Sequence, residues 1–209
     1  MTATQTLERA ADAQPTRPAA LAVLDAAARC FAERGFAATS VDDVARRLNA
    51  TKGRVYHHYA SKTDLFFAVY RRGMDLNFAA LARVADAPPV PRLRAMCVAH
   101  AETIMREQAF QRVIVEGVFL HRFGTGSPRH HDELRRLIDL RDDYERLFRA
   151  AIEDATGRDG AIAVKSCLAV LNSTVFWYRE RTPAERPALA HELAETAIAG
   201  LRIPTGEDR

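Results

Sequence analysis

At 209 residues, with 48% hydrophobic and 27% charged side chains, the chain is long enough for one or two cored domains and too apolar to be wholly disordered. The net charge of +3 names no partner, but residues 1–72 carry eleven Lys and Arg against seven Asp and Glu, so the basic excess is N-terminal and a nucleic-acid surface belongs there. Cys30, Cys97 and Cys167 fit neither a zinc spacing nor a secreted disulfide framework, residues 1–17 lack the apolar region of a signal peptide, and no apolar run reaches the ~18 residues of a spanning helix, so a cytoplasmic protein without a membrane partner is expected.

Apolar residues recur at a 3.6-residue period in nearly every segment and never alternate over a sustained stretch, which predicts an all-α fold of about nine helices. Leu21, Leu24, Ala28 and Phe31 form the stripe of the first, which Gly35 stops while Phe36 folds back over its last turn. Ser40, with Asp43 three residues on, caps a short second helix whose inner face is Val41, Val44, Ala45 and Leu48. Asn49 and Ala50 make a tight turn, and Thr51 caps a third helix with Val55 and Tyr59 inward. Ser61 with Asp64 opens a long fourth helix, to about Leu81. After the breaker at 85–92, helices are expected over Pro91 to Glu107, Phe110 to His121, Asp132 to Thr156, 161–179 and Ala188 to Ile203, with loops at 122–131, 156–160 and 179–187. The expected division is a tail (1–17), a helix-turn-helix domain (18–66), a ligand-binding and dimerisation domain (67–203) and a short tail (204–209).

The stretch TKGRVYHHYASK (51–62) carries the chemistry. Adjacent helical residues point ~100° apart, so His57 and His58 cannot share one ion, and no third ligand lies near in sequence. No nucleophile–base pair accompanies them, so neither a metal, a cofactor nor an enzyme activity is expected. A capped helix, a short turn and a second capped helix instead form a helix-turn-helix. Its second helix presents Lys52, Gly53, Arg54, Tyr56 and His57 outward, with Lys62 and either Thr39 or Ser40 flanking them at helix starts. Arg54 suits a guanine edge, Tyr56 and His57 suit phosphates, and Gly53 suits close approach of another backbone.

The stretch from about Ala19 to Tyr70, with Phe31, Gly35-Phe36, Thr39-Ser40-Val41, Val44-Ala45, the Tyr-His-His-Tyr block and Ser61-Lys62, resembles the N-terminal domain of the TetR family of transcriptional regulators. The resemblance implies DNA contacts from Thr39, Lys52, Gly53, Arg54, Tyr56, His57 and Lys62. Arg54 stands where a small polar residue is usual, and Tyr59 where Phe is usual, and the first of these bears on which bases are read. It also implies a homodimer joined through the last two helices, a double-stranded operator of pseudo-palindromic form and a repressor released by a small molecule.

In the larger domain the fifth helix places His100 inside an apolar stripe, the sixth places Glu116 and Phe119 in an apolar run, and the seventh places Arg141, Tyr144 and Phe148 on one face. His100 is read either as a satisfied core histidine or as a pocket residue. Glu116 and Arg141 are read either as a buried pair or as ligand contacts. Arg141 with Tyr144-Glu145, and the block Trp177-Tyr178-Arg179, resemble a subgroup of TetR-like regulators that respond to acyl-CoA thioesters, although Ser173 stands where that subgroup has Trp. The ligand residues so implied are His100, Glu116, Phe119, Arg141, Tyr144, Phe148 and Trp177, with another hydrophobic or aromatic ligand, such as a drug or free acid, as the alternative effector.

Overall fold

The computed structural model describes residues 18–84, 86–117, 128–180 and 182–201. Among them are nine α-helices and no strand: α1 (Pro18–Ala38), α2 (Val41–Arg47), α3 (Lys52–Tyr56), α4 (Lys62–Leu81), α5 (Pro89–Arg106), α6 (Gln108–Gly117), α7 (Pro128–Thr156), α8 (Ala161–Trp177) and α9 (Arg186–Ala199), with one 3-10 turn at Pro183–Glu185. They form two compact units that interleave along the chain, one from residues up to 75 with 107–140, the other from 76–106 with 141 onward.

In the first unit α1 packs on α2 and α6, and α2 packs on α3. Its core is apolar: Val23, Leu24 and Phe31 of α1, Val44 of α2, Val55 of α3, Leu65, Phe66 and Val69 of α4, and Val113 of α6 are all nearly inaccessible. Fully burying one such side chain is worth about 1.5–3 kcal/mol. Gly35 breaks α1 as expected, at φ 76°, a left-handed value that a side chain resists. The chain then doubles back, and the Phe36 ring lies 5.9 Å from Phe31 and 5.0 Å from Phe66. Gly117 serves a different need, because a Cβ there would stand 2.8 Å from the Tyr70 ring of α4.

In the second unit α5, α8 and α9 pack on one another. Leu93, Cys97, Ala101 and Ile104 of α5, Cys167 and Leu171 of α8, and Ala190 and Ala194 of α9 are buried. Cys97 and Cys167 are free thiols, with sulfurs 3.7 Å apart. Among the described residues no single helix is long and apolar enough to cross a membrane.

Several boundaries shift by one to four residues from the sequence reading, the last helix among them, which spans Arg186–Ala199 where Ala188 to Ile203 was expected. α7 begins at Pro128, where a loop was expected to run to residue 131. Proline is suited to a first helical turn, since its φ is preset and its missing N–H has no partner there anyway. α8 ends at Trp177 and Tyr178 is its extended C-cap, so the expected 161–179 helix is two residues shorter.

Candidate nucleic-acid interface

The turn between α2 and α3 is built by local chemistry. Ser40 Oγ accepts the Asp43 N–H at 3.2 Å, and the Ser40 N–H donates to Asp43 Oδ2 at 2.8 Å, a complete capping box. These hydrogen bonds, from the Ser40 hydroxyl first and its N–H second, hold the Asp43 carboxyl well below the usual carboxylate range. Arg34 reaches the same carboxylate at 2.9 Å, and Arg47 grips Glu33 of α1 at 2.7 Å, so α2 is fastened to α1 from both ends. Asn49 turns the chain at φ 49°, a value asparagine tolerates better than most residues. Thr51 then stands at the N-cap of α3 without a side-chain cap bond.

α3 is short, and only Val55 of it is buried. Lys52, Gly53, Arg54 and Tyr56, with His57 at the C-cap, are all exposed, so five of the seven residues expected to meet DNA share one open surface. Tyr56 is 44% exposed, unusual for so large a ring. Lys52 Nζ sits 3.0 Å from Asp42 and 6.0 Å from the centre of the Tyr56 ring. Arg54 has no ion pair with any described residue, leaving its five donors unspent. A Cβ at Gly53 would meet nothing nearer than Thr51 Oγ1 at 3.8 Å, so nothing in the fold itself requires glycine there. Tyr59, expected inward, is half-buried because α3 has ended, although its N–H still reaches Val55 O at 3.1 Å.

The other two residues are placed differently. Thr39 is 1% exposed, and its hydroxyl donates to Cys30 O at 3.1 Å and Gly35 O at 2.8 Å, sealing the break in α1. Lys62 is half-buried, and its ammonium donates to Phe36 O and Thr39 O, both at 2.9 Å, while lying 4.5 Å from the centre of the Phe36 ring. Three carbonyls of the 36–39 segment face it when Ala37 O, at 3.4 Å, is included. Thr39 and Lys62 thus hold the link between α1 and α2, on which the position of α3 depends. The sequence held one clue to this, the positive φ forced at Gly35, which leaves carbonyls after it without helical partners.

The effector candidates separate into a cluster and outliers. His100, Tyr144 and Phe148 are buried together in the second unit. His100 Nδ1 is 2.9 Å from the Tyr144 hydroxyl and Nε2 is 3.2 Å from Asn172 Oδ1. A neutral ring protonated on Nε2 satisfies both: Tyr144 O–H donates to Nδ1, and Nε2–H donates to Asn172. Burial keeps the ring neutral, lowering its pKa to about 4. Burial also pushes the Tyr144 hydroxyl well above its usual range. Phe78 and Phe148 close around them, with rings 5.2 Å and 5.4 Å from that of Tyr144. Asn172 was missed in the sequence, where an amide on an apolar helix carried no mark of its own.

Neither Glu116 nor Arg141 is buried within its own unit. Glu116 is exposed at the end of α6, and Arg141 is half-exposed and pairs with its neighbour Asp142 at 3.0 Å. A long guanidinium stem satisfies an apolar stripe while its head reaches water, so the periodicity was right and the burial wrong. Trp177 is 49% exposed, with its indole N–H directed to Ser173 Oγ at 3.4 Å. Phe119 lies outside the described residues.

The comparisons agree with this architecture. A family model for bacterial regulatory proteins of the tetR family matches residues 23–69, and one for a tetracyclin repressor-like C-terminal domain matches residues 86–201. The HTH-type transcriptional repressor KstR2 of Mycobacterium tuberculosis (strain ATCC 25618 / H37Rv) is 37% identical over 89 residues, 42% of this chain and 44% of that protein. KstR2 of Mycolicibacterium smegmatis is 30% identical over 130 residues, 60% of this chain and 56% of that protein, so the chain spans about half the length of the curated relatives it matches. The crystal structure of PfmR, a TetR family transcriptional regulator from Thermus thermophilus, superposes with a TM-score of 0.70 at 27% identity, covering 88% of this chain and 95% of that one. With a helix-turn-helix inside the first match and more than half of its length inside the second, the chain belongs to the TetR family of bacterial regulatory proteins.

Proposed function

We propose that the chain is a cytoplasmic transcriptional repressor that binds a pseudo-palindromic DNA operator as a homodimer and leaves it when a small effector enters the second unit. One observation carries the DNA-binding half: α3 buries a single side chain and turns Lys52, Gly53, Arg54, Tyr56 and His57 outward together. A helix with so little inward surface gains little from its own packing, and its outward residues are donors suited to phosphates and guanine edges. The repressor sign follows the similarity to KstR2.

The homodimer is supported by α8, which leaves Ile162 78%, Phe176 57% and Trp177 49% exposed along with its buried face. A helix apolar all round is one covered on both sides, and a second copy of α8 and α9 supplies the second cover. Two recognition helices related by a two-fold axis then meet half-sites roughly 34–36 Å apart, or a multiple of that.

For the effector, the buried His100, Tyr144 and Asn172, with Phe78 and Phe148 around them, are the polar point that an entering carbonyl would engage in exchange for their mutual hydrogen bonds. Together with Arg141, Glu145 and the Trp177-Tyr178-Arg179 block, this favours an acyl-CoA thioester over a wholly apolar drug.

Fluorescence anisotropy on an operator duplex, titrated across salt, tests the DNA-binding half. Log K is expected to fall linearly with log salt, with a slope near −0.9 for each phosphate contacted. A flat dependence would remove it. Thermal unfolding against CoA thioesters, free CoA and free acids tests the effector: a ligand at about 100 times its dissociation constant adds about 2.7 kcal/mol. Shifts from thioesters alone support the reading, and a flat panel discards it.

A further inference from the structure

Within the first unit a cleft of about 680 Å³ lies between α4, the residues after α3 and the first turns of α7. That volume suits a small molecule. Leu24, Phe67 and Ala68 contribute its apolar lining. In its charged frame the acidic groups are engaged: Glu133 is shared by Arg71 and Arg136, and Asp64 pairs with Arg129 at 3.4 Å and has His130 Nε2 at 3.6 Å.

Arg72, Asp75 and Tyr59 are polar lining groups outside that frame. Arg72 and Asp75, one turn apart on α4, are each half-buried, and neither makes a hydrogen bond or ion pair with any described residue. The half-buried Tyr59 hydroxyl likewise has no hydrogen-bond partner among them. Asp25 and Asp75 both feel the charge of Arg72, yet neither lies within salt-bridge distance of it. Desolvation without a bonded counterion raises the Asp75 carboxyl above its usual range. A free guanidinium and a free carboxylate beside an apolar floor form a pattern of opposite charges, which a molecule of either single charge would satisfy only by half.

We propose that this cleft is a binding site for a small zwitterion of the amino-acid class with an apolar side chain: Arg72 takes the carboxylate, Asp75 takes the ammonium, and the side chain lies on Leu24, Phe67 and Ala68. Such a site sits in the DNA-binding unit itself and is separate from the His100–Tyr144–Asn172 cluster. Its occupation therefore neither requires nor excludes an effector in the second unit.

The test is calorimetry on the full chain with L-phenylalanine, L-leucine and L-tryptophan, alongside 3-phenylpropionate, which lacks the ammonium, and phenethylamine, which lacks the carboxylate. Saturable binding of at least one amino acid, one per chain, is expected below about 10 mM. The two single-charge analogues are expected to bind about tenfold or more weakly than L-phenylalanine where that amino acid binds. R72Q is expected to remove the advantage of the carboxylate and D75N that of the ammonium, while circular dichroism and the ligand-free unfolding midpoint confirm folding. A68W, which fills the floor, is expected to abolish binding with both charges in place. The proposal is overturned if none of the three amino acids binds saturably, if a single-charge analogue binds as well as the zwitterion, or if folded R72Q and D75N bind unchanged. DNA affinity has no part in these readouts, so failure of the operator reading and failure of this one are distinguishable.

Discussion

Replacing Gly53 with alanine separates what the fold needs from what the interface needs. Gly53 lies in the first turn of α3, in helical backbone with no positive φ, and a Cβ there would meet only Thr51 Oγ1, at 3.8 Å. Alanine therefore brings no clash, and it lowers the conformational entropy of the unfolded chain. The gain is about 0.5–1 kcal/mol. For a chain of this size that is a rise of roughly 1–4 °C in the unfolding midpoint. On DNA the sign reverses: the added methyl points to the open face, where the other backbone is to approach, and a loss of affinity on the order of tenfold, about 1.4 kcal/mol, is expected. Differential scanning fluorimetry and operator anisotropy on the same preparation read both numbers. A destabilised G53A would show that the fold does require glycine there. A stabilised G53A with unchanged DNA affinity would show that no backbone comes close to α3 at this point.

The remaining predictions concern the residues around that surface and the second unit. Lys62→Met removes donors from Phe36 O and Thr39 O and is expected to destabilise the chain by about 1–3 kcal/mol. The salt slope of DNA binding should stay unchanged, and a slope shallower by about 0.9 would instead make Lys62 a phosphate contact. His100 has a folded pKa of about 4 against an ordinary value of 6.5, so the unfolded chain binds the proton first. Stability contributed by its neutral form is thus complete above pH 6.5 and is lost as pH falls towards 4, by about 3 kcal/mol in all. In His100→Gln that part of the pH profile should flatten in urea titrations between pH 4 and 7; a wild-type slope retained in the variant would assign the loss to other groups. Phe176→Asp places a charge on the exposed apolar face of α8 and is expected to convert dimer to monomer in light scattering, with helix content kept; an intact dimer would move the interface elsewhere.

The parts of the fold legible in the sequence are those built by neighbours. Ser40 with Asp43, Ser61 with Asp64, and Asn49 act within three or four residues, and all three appear where their chemistry places them. The outward row of α3 was legible for the same reason, since its only inward residue is a valine among polar side chains. Roles set by distant chain segments were not. The carbonyl partners of Lys62 lie 23–26 residues away, and only the reversal at Gly35 brings them near. His100 and Asn172 are 72 residues apart, so a helical stripe marks each as inward without naming the partner. Periodicity also cannot separate a buried Arg141 from one whose stem is covered and whose head is free, or tell that Ile162, Phe176 and Trp177 of α8 are left exposed while its other face is buried.

The central claim, that the open face of α3 reads DNA as one of a two-fold pair, is tested most directly by selecting bound duplexes from a randomised pool with the full chain, in parallel with Arg54→Ala. The account predicts enrichment of a pseudo-palindrome with half-sites one helical turn or a multiple apart, and relaxed preference in Arg54→Ala at one symmetry-related position in each half-site, worth about 1–3 kcal/mol of discrimination. A pool that shows no enrichment, or an enriched site that Arg54→Ala reads identically, would contradict it.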